Sequence, residues 1–145
     1  MSATQAKELS TRNQLRGTVS NVSTGSVMAE VQIEVGGQDF VAAVTKHSVE
    51  RLGLKQGDAV TVLVKATEVM LAKSSSTYEE LTTRNQIPGK VTAVETGSVM
   101  AEVQIQIEGG ELVAAVTKHS VERLGLSQGD DVIALVKATE VMLGK

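Results

Sequence analysis

The sequence has no cysteine, no tryptophan, one proline, one tyrosine and one phenylalanine in 145 residues. Without cysteine there is no disulfide framework, no thiolate metal site and no thiol nucleophile. With two aromatic side chains the core has to be aliphatic, and a stacking platform for nucleic-acid bases is lacking. Positive charge is not in excess either. Fourteen basic residues stand against 17 acidic ones, and a net charge of -3 is not the basic footprint of a nucleic-acid binder. No apolar run approaches the ~20 residues of a membrane-spanning helix, and MSATQAKELSTRNQ has no apolar signal region. With 41% hydrophobic and 21% charged residues the chain is not of disordered type. The expectation is a soluble, cytoplasmic protein that engages neither membrane nor nucleic acid.

What is present is one unit written twice. Leu9–Lys73 aligns without a gap on Leu81–Lys145, and 47 of the 65 positions are identical. The longest shared block, VAAVTKHSVERLGL, runs from Val41 to Leu54 and returns at Val113–Leu126. The organisation expected is a tail over residues 1–8, a first repeat over 9–73, a polar linker SSSTYEE over 74–80 and a second repeat over 81–145. A unit of this size buries only ~60% of its unfolded surface. With no disulfide or metal to compensate, the units are expected to pack on each other and on further copies of the chain.

Within a repeat, VMAEVQIEV at Val27–Val35 alternates apolar and polar residues with period two, the mark of a half-buried strand. Gly36-Gly37 signals a turn, and Asp39–Val44 resumes strand character. Gln14–Val22 reads as a first strand interrupted at Gly17, Ala59–Lys65 as a fourth and Glu68–Leu71 as a short fifth. Between the third and fourth lies a short helix, with Thr45 as N-cap and Gly53 just past its end. The order β-β-β-α-β-β is that of the five-stranded OB-fold barrel. The fold class expected is all-β with a short helix per repeat, as two OB-like five-stranded barrels in tandem.

Three polar clusters recur in both copies. Ser10-Thr11-Arg12-Asn13-Gln14 is matched by Thr82-Thr83-Arg84-Asn85-Gln86, Thr45-Lys46-His47-Ser48 by Thr117-Lys118-His119-Ser120, and Lys65-Ala66-Thr67 by Lys137-Ala138-Thr139. All offer hydrogen-bond donors and none contains a carboxylate. Such a set suits a fully ionised oxyanion, and a helix N-terminus at Thr45–Ser48 would add free amides. A pocket without acceptors would also reject hydrogen phosphate, whose proton needs one. The competing reading is local: Thr45 and Ser48 simply cap a helix, and Arg12 and Lys65 are surface charges. Met28, Met70, Met100 and Met142 are expected to fill a core. His47 and His119, each beside a lysine and without cysteine nearby, are poor metal ligands, so no metal is expected to be held by direct side-chain ligation.

Taken together, S/T-x-R-N-Q, TGSVMAEV, VAAVTKHSVERLGL and LVKATEVML resemble the Mop domains of the molbindins, small molybdate-binding proteins. The resemblance spans both repeats nearly end to end, a tandem di-Mop arrangement. It implies OB-like barrels assembling as a trimer of chains. Molybdate, and tungstate with it, would be held at interfaces between units by hydrogen-bond donors. The family's serine-x-arginine motif matches Ser10 and Arg12, then Thr82 and Arg84. Its helix-start threonine and serine match Thr45 and Ser48, then Thr117 and Ser120, and its lysine matches Lys65 with Ala66, then Lys137 with Ala138. Thr11, Thr83, Lys46 and Lys118 complete the candidate set. Thr11 and Thr83 stand where family members commonly have alanine, Thr82 replaces serine, and Pro88 takes the place of Arg16. A further site on the symmetry axis is implied, with His47, His119 and the glycine turns as candidates.

The function expected is intracellular oxyanion binding for molybdate storage or homeostasis. Two other readings compete: an OB-fold module for single-stranded nucleic acid, and an assembly module indifferent to oxyanions. Catalysis is not expected. There is no H-E-x-x-H motif, no carboxylate pair within a polar cluster and no orienting acid beside either histidine.

Overall fold

A computed structural model describes residues 9–145; the tail expected over residues 1–8 lies outside them. The described residues form ten strands and two short α-helices. The first repeat holds β1 (Asn13–Thr24), β2 (Met28–Val35), β3 (Gln38–Thr45), α1 (Lys46–Leu52), β4 (Ala59–Val64), a 3-10 turn (Ala66–Glu68) and β5 (Met70–Ala72). The second repeats the series as β6 (Asn85–Thr96), β7 (Met100–Ile107), β8 (Gly110–Thr117), α2 (Lys118–Leu124), β9 (Asp131–Val136), a 3-10 turn (Ala138–Glu140) and β10 (Met142–Gly144).

The alternation in β2 becomes burial, with Ala29, Val31, Ile33 and Val35 inside and Glu30 and Glu34 outside. Helix α1 starts where expected: the Ser48 N–H donates to Thr45 Oγ1 at 3.1 Å. It stops at Gly53, whose φ of 61° is left-handed. Strand β1 is not interrupted at Gly17. It runs on for 12 residues and bends, pairing with β4 through Asn13–Thr18 and with β2 through Thr18–Thr24. Gly17 sits at the crossing, where a Cβ would meet Glu34 O and Ile33 Cγ2 at 2.7 Å. A bulge between Val19 and Asn21 adds curvature. Each sheet therefore curls on itself, around a core that contains the buried Phe40 and its counterpart Leu112.

The two sheets do not coincide with the two repeats. Their strand orders are β10-β4-β1-β2-β3 and β5-β9-β6-β7-β8, so each takes its fifth strand from the other repeat. Met142–Gly144 pairs with Thr61–Leu63, and Met70–Ala72 with Ile133–Leu135. The lysine after each exchanged strand fastens it. Lys145 Nζ donates to Leu52 O and Gly53 O at 3.2 Å, at the end of α1, and pairs with Asp58 at 3.1 Å. Lys73 does the same at the end of α2, donating to Gly125 O at 3.1 Å and pairing with Asp130.

Further contacts join the repeats. Asn85, 2% exposed, donates through Nδ2 to Val41 O at 2.8 Å and accepts from Val41 N at 2.7 Å. Asn13 makes the same pair of bonds with Val113. β3 and β8 are sheet edges, so each asparagine satisfies an edge residue's amide and carbonyl as a neighbouring strand would. The β2–β3 and β7–β8 turns also meet: a Cβ on Gly36 would overlap Gly109 Cα, and one on Gly109 would overlap Val35 O.

The four methionines do not fill the core. Met28, Met70, Met100 and Met142 are exposed, together with Val27 and Val99 at 69%. Met28 and Met100 fall on the solvent-facing parity of strands whose other face is already filled by Val, Ile and Ala, and Met70 and Met142 open the short strands β5 and β10 on their exposed side. Pro88 lies in the part of β6 that pairs with β9 alone, where a missing N–H costs no ladder bond on the other side.

Candidate functional site

The first and third clusters meet because of strand register. Asn13 opposite Val64 sets Arg12 beside Lys65 at the sheet end, and Asn85 opposite Val136 sets Arg84 beside Lys137. In the second repeat they line one cavity of about 380 Å³, whose walls are Thr82, Thr83, Arg84, Lys137, Ala138, Thr139 and Glu30. The loop before β6 is braced from within: Gln86 Nε2 donates to Tyr78 O at 2.8 Å and to Thr83 O at 3.2 Å. In the first repeat Gln14 Nε2 donates to Thr11 O at 2.9 Å. Ser10 is exposed at the corresponding entry to β1, with Thr11 half-buried and Arg12 exposed.

The second cluster joins from the other repeat. Thr139 lines both this cavity and an adjoining groove walled by Thr45, Ser48, Arg51 and Met142. On the other side Thr67 is likewise shared between a cavity containing Glu102 and a groove containing Thr117 and Ser120, but that cavity is walled by Glu95, Thr96, Gly97 and Met100 rather than by Arg12 and Lys65. The exchanged strands cause this, because they lay each 3-10 turn against the third strand of the other repeat. The candidate site at Arg84 is therefore composite, combining clusters one and three of the second repeat with cluster two of the first.

Two expectations need correcting. The helix N-termini are largely occupied, with two first-turn amides of each already bonded within the protein. The Lys46 N–H donates to Val27 O at 2.8 Å and the Ser48 N–H to Thr45 Oγ1; Lys118 and Ser120 repeat the pattern. Capping has taken these amides, and what remains is the hydroxyl of Ser48, which accepts from Thr45 Oγ1 at 2.9 Å and keeps its own proton to donate. Nor is the site free of carboxylates. Arg84 Nη1 donates to Glu30 Oε2 at 2.9 Å, and Arg12 Nη1 to Glu102 Oε2 at 2.7 Å, both across repeats. Exclusion of hydrogen phosphate for want of an acceptor therefore has no support in this geometry.

Glu30 and Glu102 are the residues that sequence reasoning missed. They stand on the outward parity of β2 and β7, and nothing in their spacing ties them to an arginine of the other repeat. Thr67 and Thr139 belong to the third cluster but lay outside the candidate set. His47 and His119 are exposed on the helices. Among the described residues no three His, Asp or Glu side chains gather to hold a metal ion, and no helix is long and apolar enough to cross a membrane. Phe40 is wholly buried, so it cannot stack on a base.

Two curled five-stranded sheets, built from a duplicated unit and carrying cationic and hydroxyl groups near their junctions, define a tandem β-barrel module. The TOBE domain model matches residues 9–71 and again 81–143, and the chain belongs to the TOBE-domain family. A solved structure of the cytoplasmic molybdate-binding protein ModG, with molybdate bound, superposes with a TM-score of 0.89 at 43% identity, covering 94% of this chain and 98% of that one. The molybdenum transport protein ModE of Azotobacter vinelandii is 39% identical over 136 residues, 92% of this chain and 50% of its own length. The molybdenum-pterin-binding protein MopA of Rhodobacter capsulatus is 36% identical over 136 residues, again 92% of this chain and 51% of its own. The chain spans about half the length of these last two relatives.

Proposed function

We propose that the chain binds molybdate, and tungstate, as tetrahedral dianions in its two composite sites, and serves storage or homeostasis of the oxyanion in the cytoplasm. The observation that carries this reading is the convergence of Thr82, Thr83, Arg84, Lys137 and Ala138 on one cavity. Thr139 links that cavity to Thr45 and Ser48 of the other repeat. An arginine fork and a lysine supply charge, and hydroxyls supply neutral donors. Glu30 occupies a single guanidinium N–H of the five, so the fork retains donors for a ligand. Charge-assisted hydrogen bonds contribute about 1.5–3 kcal/mol each, enough in combination for micromolar or tighter binding. The similarity to ModG over nearly the whole of both chains supports the same ligand here.

The same reading includes a homotrimer. Met100 lines the cavity that contains Glu102 and Thr67, its neighbour Val99 is exposed, and Val27 and Met28 are exposed at the equivalent positions of the first repeat. Further copies packing on this apolar rim would bury it and close the cavities from solvent.

Native mass spectrometry with molybdate, tungstate, sulfate and phosphate in turn tests both parts. The expected spectrum is a trimer of chains retaining molybdate and tungstate, with retention lost in an R12A/R84A variant. A chain that retains no oxyanion, and whose melting temperature is unmoved by millimolar molybdate, would end the proposal. Ligand at a hundred times its Kd should add about 2.7 kcal/mol.

A further inference from the structure

Each candidate arginine already holds an anion supplied by the protein. Arg84 Nη1 bonds Glu30 Oε2 at 2.9 Å, Arg12 Nη1 bonds Glu102 Oε2 at 2.7 Å, and Glu30 stands in the wall of the cavity that Arg84 and Lys137 line. The arginine–glutamate pair recurs in both halves. A carboxylate offers a guanidinium what an oxyanion offers, negatively charged oxygens at hydrogen-bond distance. It is also tethered. Glu30 lies between the buried Ala29 and Val31 on β2 and is paired in register with Ala43. A tethered group faces its partner at a high effective concentration, however dilute the free ligand.

Building on the oxyanion-binding reading above, we infer that Glu30 and Glu102 are intramolecular competitors of the ligand and set the affinity of the two sites. In the empty site the carboxylate holds the arginine. An incoming dianion has to displace it, because a carboxylate left within bonding distance of the guanidinium would stand against the ligand's own charge. Each competitor comes from the opposite repeat to its arginine, so affinity at one barrel depends on a strand of the other.

The two partners are each about half exposed. Such pairs are typically worth 0.2–1 kcal/mol, which converts to a release of about 1.5- to fivefold in Kd. The test is calorimetric titration of molybdate into the full chain, an E30Q/E102Q variant and an E30D/E102D variant. Aspartate keeps the charge but shortens the side chain by one methylene, out of reach of the guanidinium. Both variants are expected to bind molybdate more tightly than the parent, the glutamine form most, with melting curves in the absence of ligand confirming that both are folded. Unchanged or weaker binding in E30Q/E102Q overturns the inference, because the carboxylate would then be a bystander or an aid in orienting the arginine. Tighter binding in the glutamine form alone, with the aspartate form at parental affinity, overturns displacement in favour of charge at a distance. A parent chain that binds no molybdate defeats the underlying function instead, a result distinguishable from either of these.

Discussion

Replacing Asn85 by alanine takes away the group that completes the edge of the first sheet. Val41, 7% exposed, would lose both the donor to its carbonyl and the acceptor of its amide, the bonds of 2.8 and 2.7 Å. A buried backbone group left without a partner costs about 1–3 kcal/mol, so two give about 2–6 kcal/mol. For a chain of this length that corresponds to a fall in melting temperature of about 6–20 °C. N13A should behave alike through Val113. The assay is thermal and urea unfolding followed by circular dichroism, at fixed protein concentration and without oxyanion, since assembly and ligand both shift the transition. N85D sharpens it. At neutral pH its carboxylate would face the Val41 carbonyl without a proton to give, while in acid the protonated form regains a donor. Melting of N85A within about 2 °C of the parent would show that the asparagine is not a structural tie, and that its burial has another cause.

Three further outcomes follow from the same geometry. Lys145 first, then the Lys55 backbone N–H, holds the Asp58 carboxyl below its ordinary value of 3.8; the Ser127 backbone N–H first, then Lys73, does so for Asp130. The stabilisation is therefore present above pH 3.8 and lost as pH falls through the lowered values. Melting temperature measured from pH 6 to pH 2 should decline less steeply below pH 4 in D58N/D130N than in the parent, and parallel curves would contradict this. G109A should destabilise by about 2–5 kcal/mol in urea unfolding, because a left-handed backbone and an overlap with Val35 O add together. G57A, with φ of 95° but nothing within 4 Å, should cost only about 1–2 kcal/mol, and equal costs would refute the turn-to-turn contact.

Much of the fold could be read from residue pattern. Period-two burial in β2, the Thr45 cap, the left-handed Gly53 and the Gly36-Gly37 turn each follow from local chemistry, and local chemistry decided them. The exchange of fifth strands could not be read, because duplication conceals it. Met70-Leu71 and Met142-Leu143 are the same dipeptide, so neither β4 nor β9 distinguishes its own continuation from its neighbour's. The site was legible in its residue types and illegible in its grouping for the same reason. Asn13 and Asn85 are indistinct members of a polar run in the sequence, and only their burial against a sheet edge reveals a structural task. Apolar character alone does not place a methionine inside: Met28 and Met100 sit on the outward parity of the pleat, and parity decides.

The crossed fifth strands make the linker mechanically dispensable once folding is complete. A protease cut anywhere in Ser74–Glu80 would give two fragments, yet neither could diffuse away without unzipping a strand from the sheet of the other. The crossing also restrains divergence of the two copies. Any substitution in Met142–Gly144 has to suit a host strand encoded some eighty codons upstream, so the halves drift as a couple rather than as individuals.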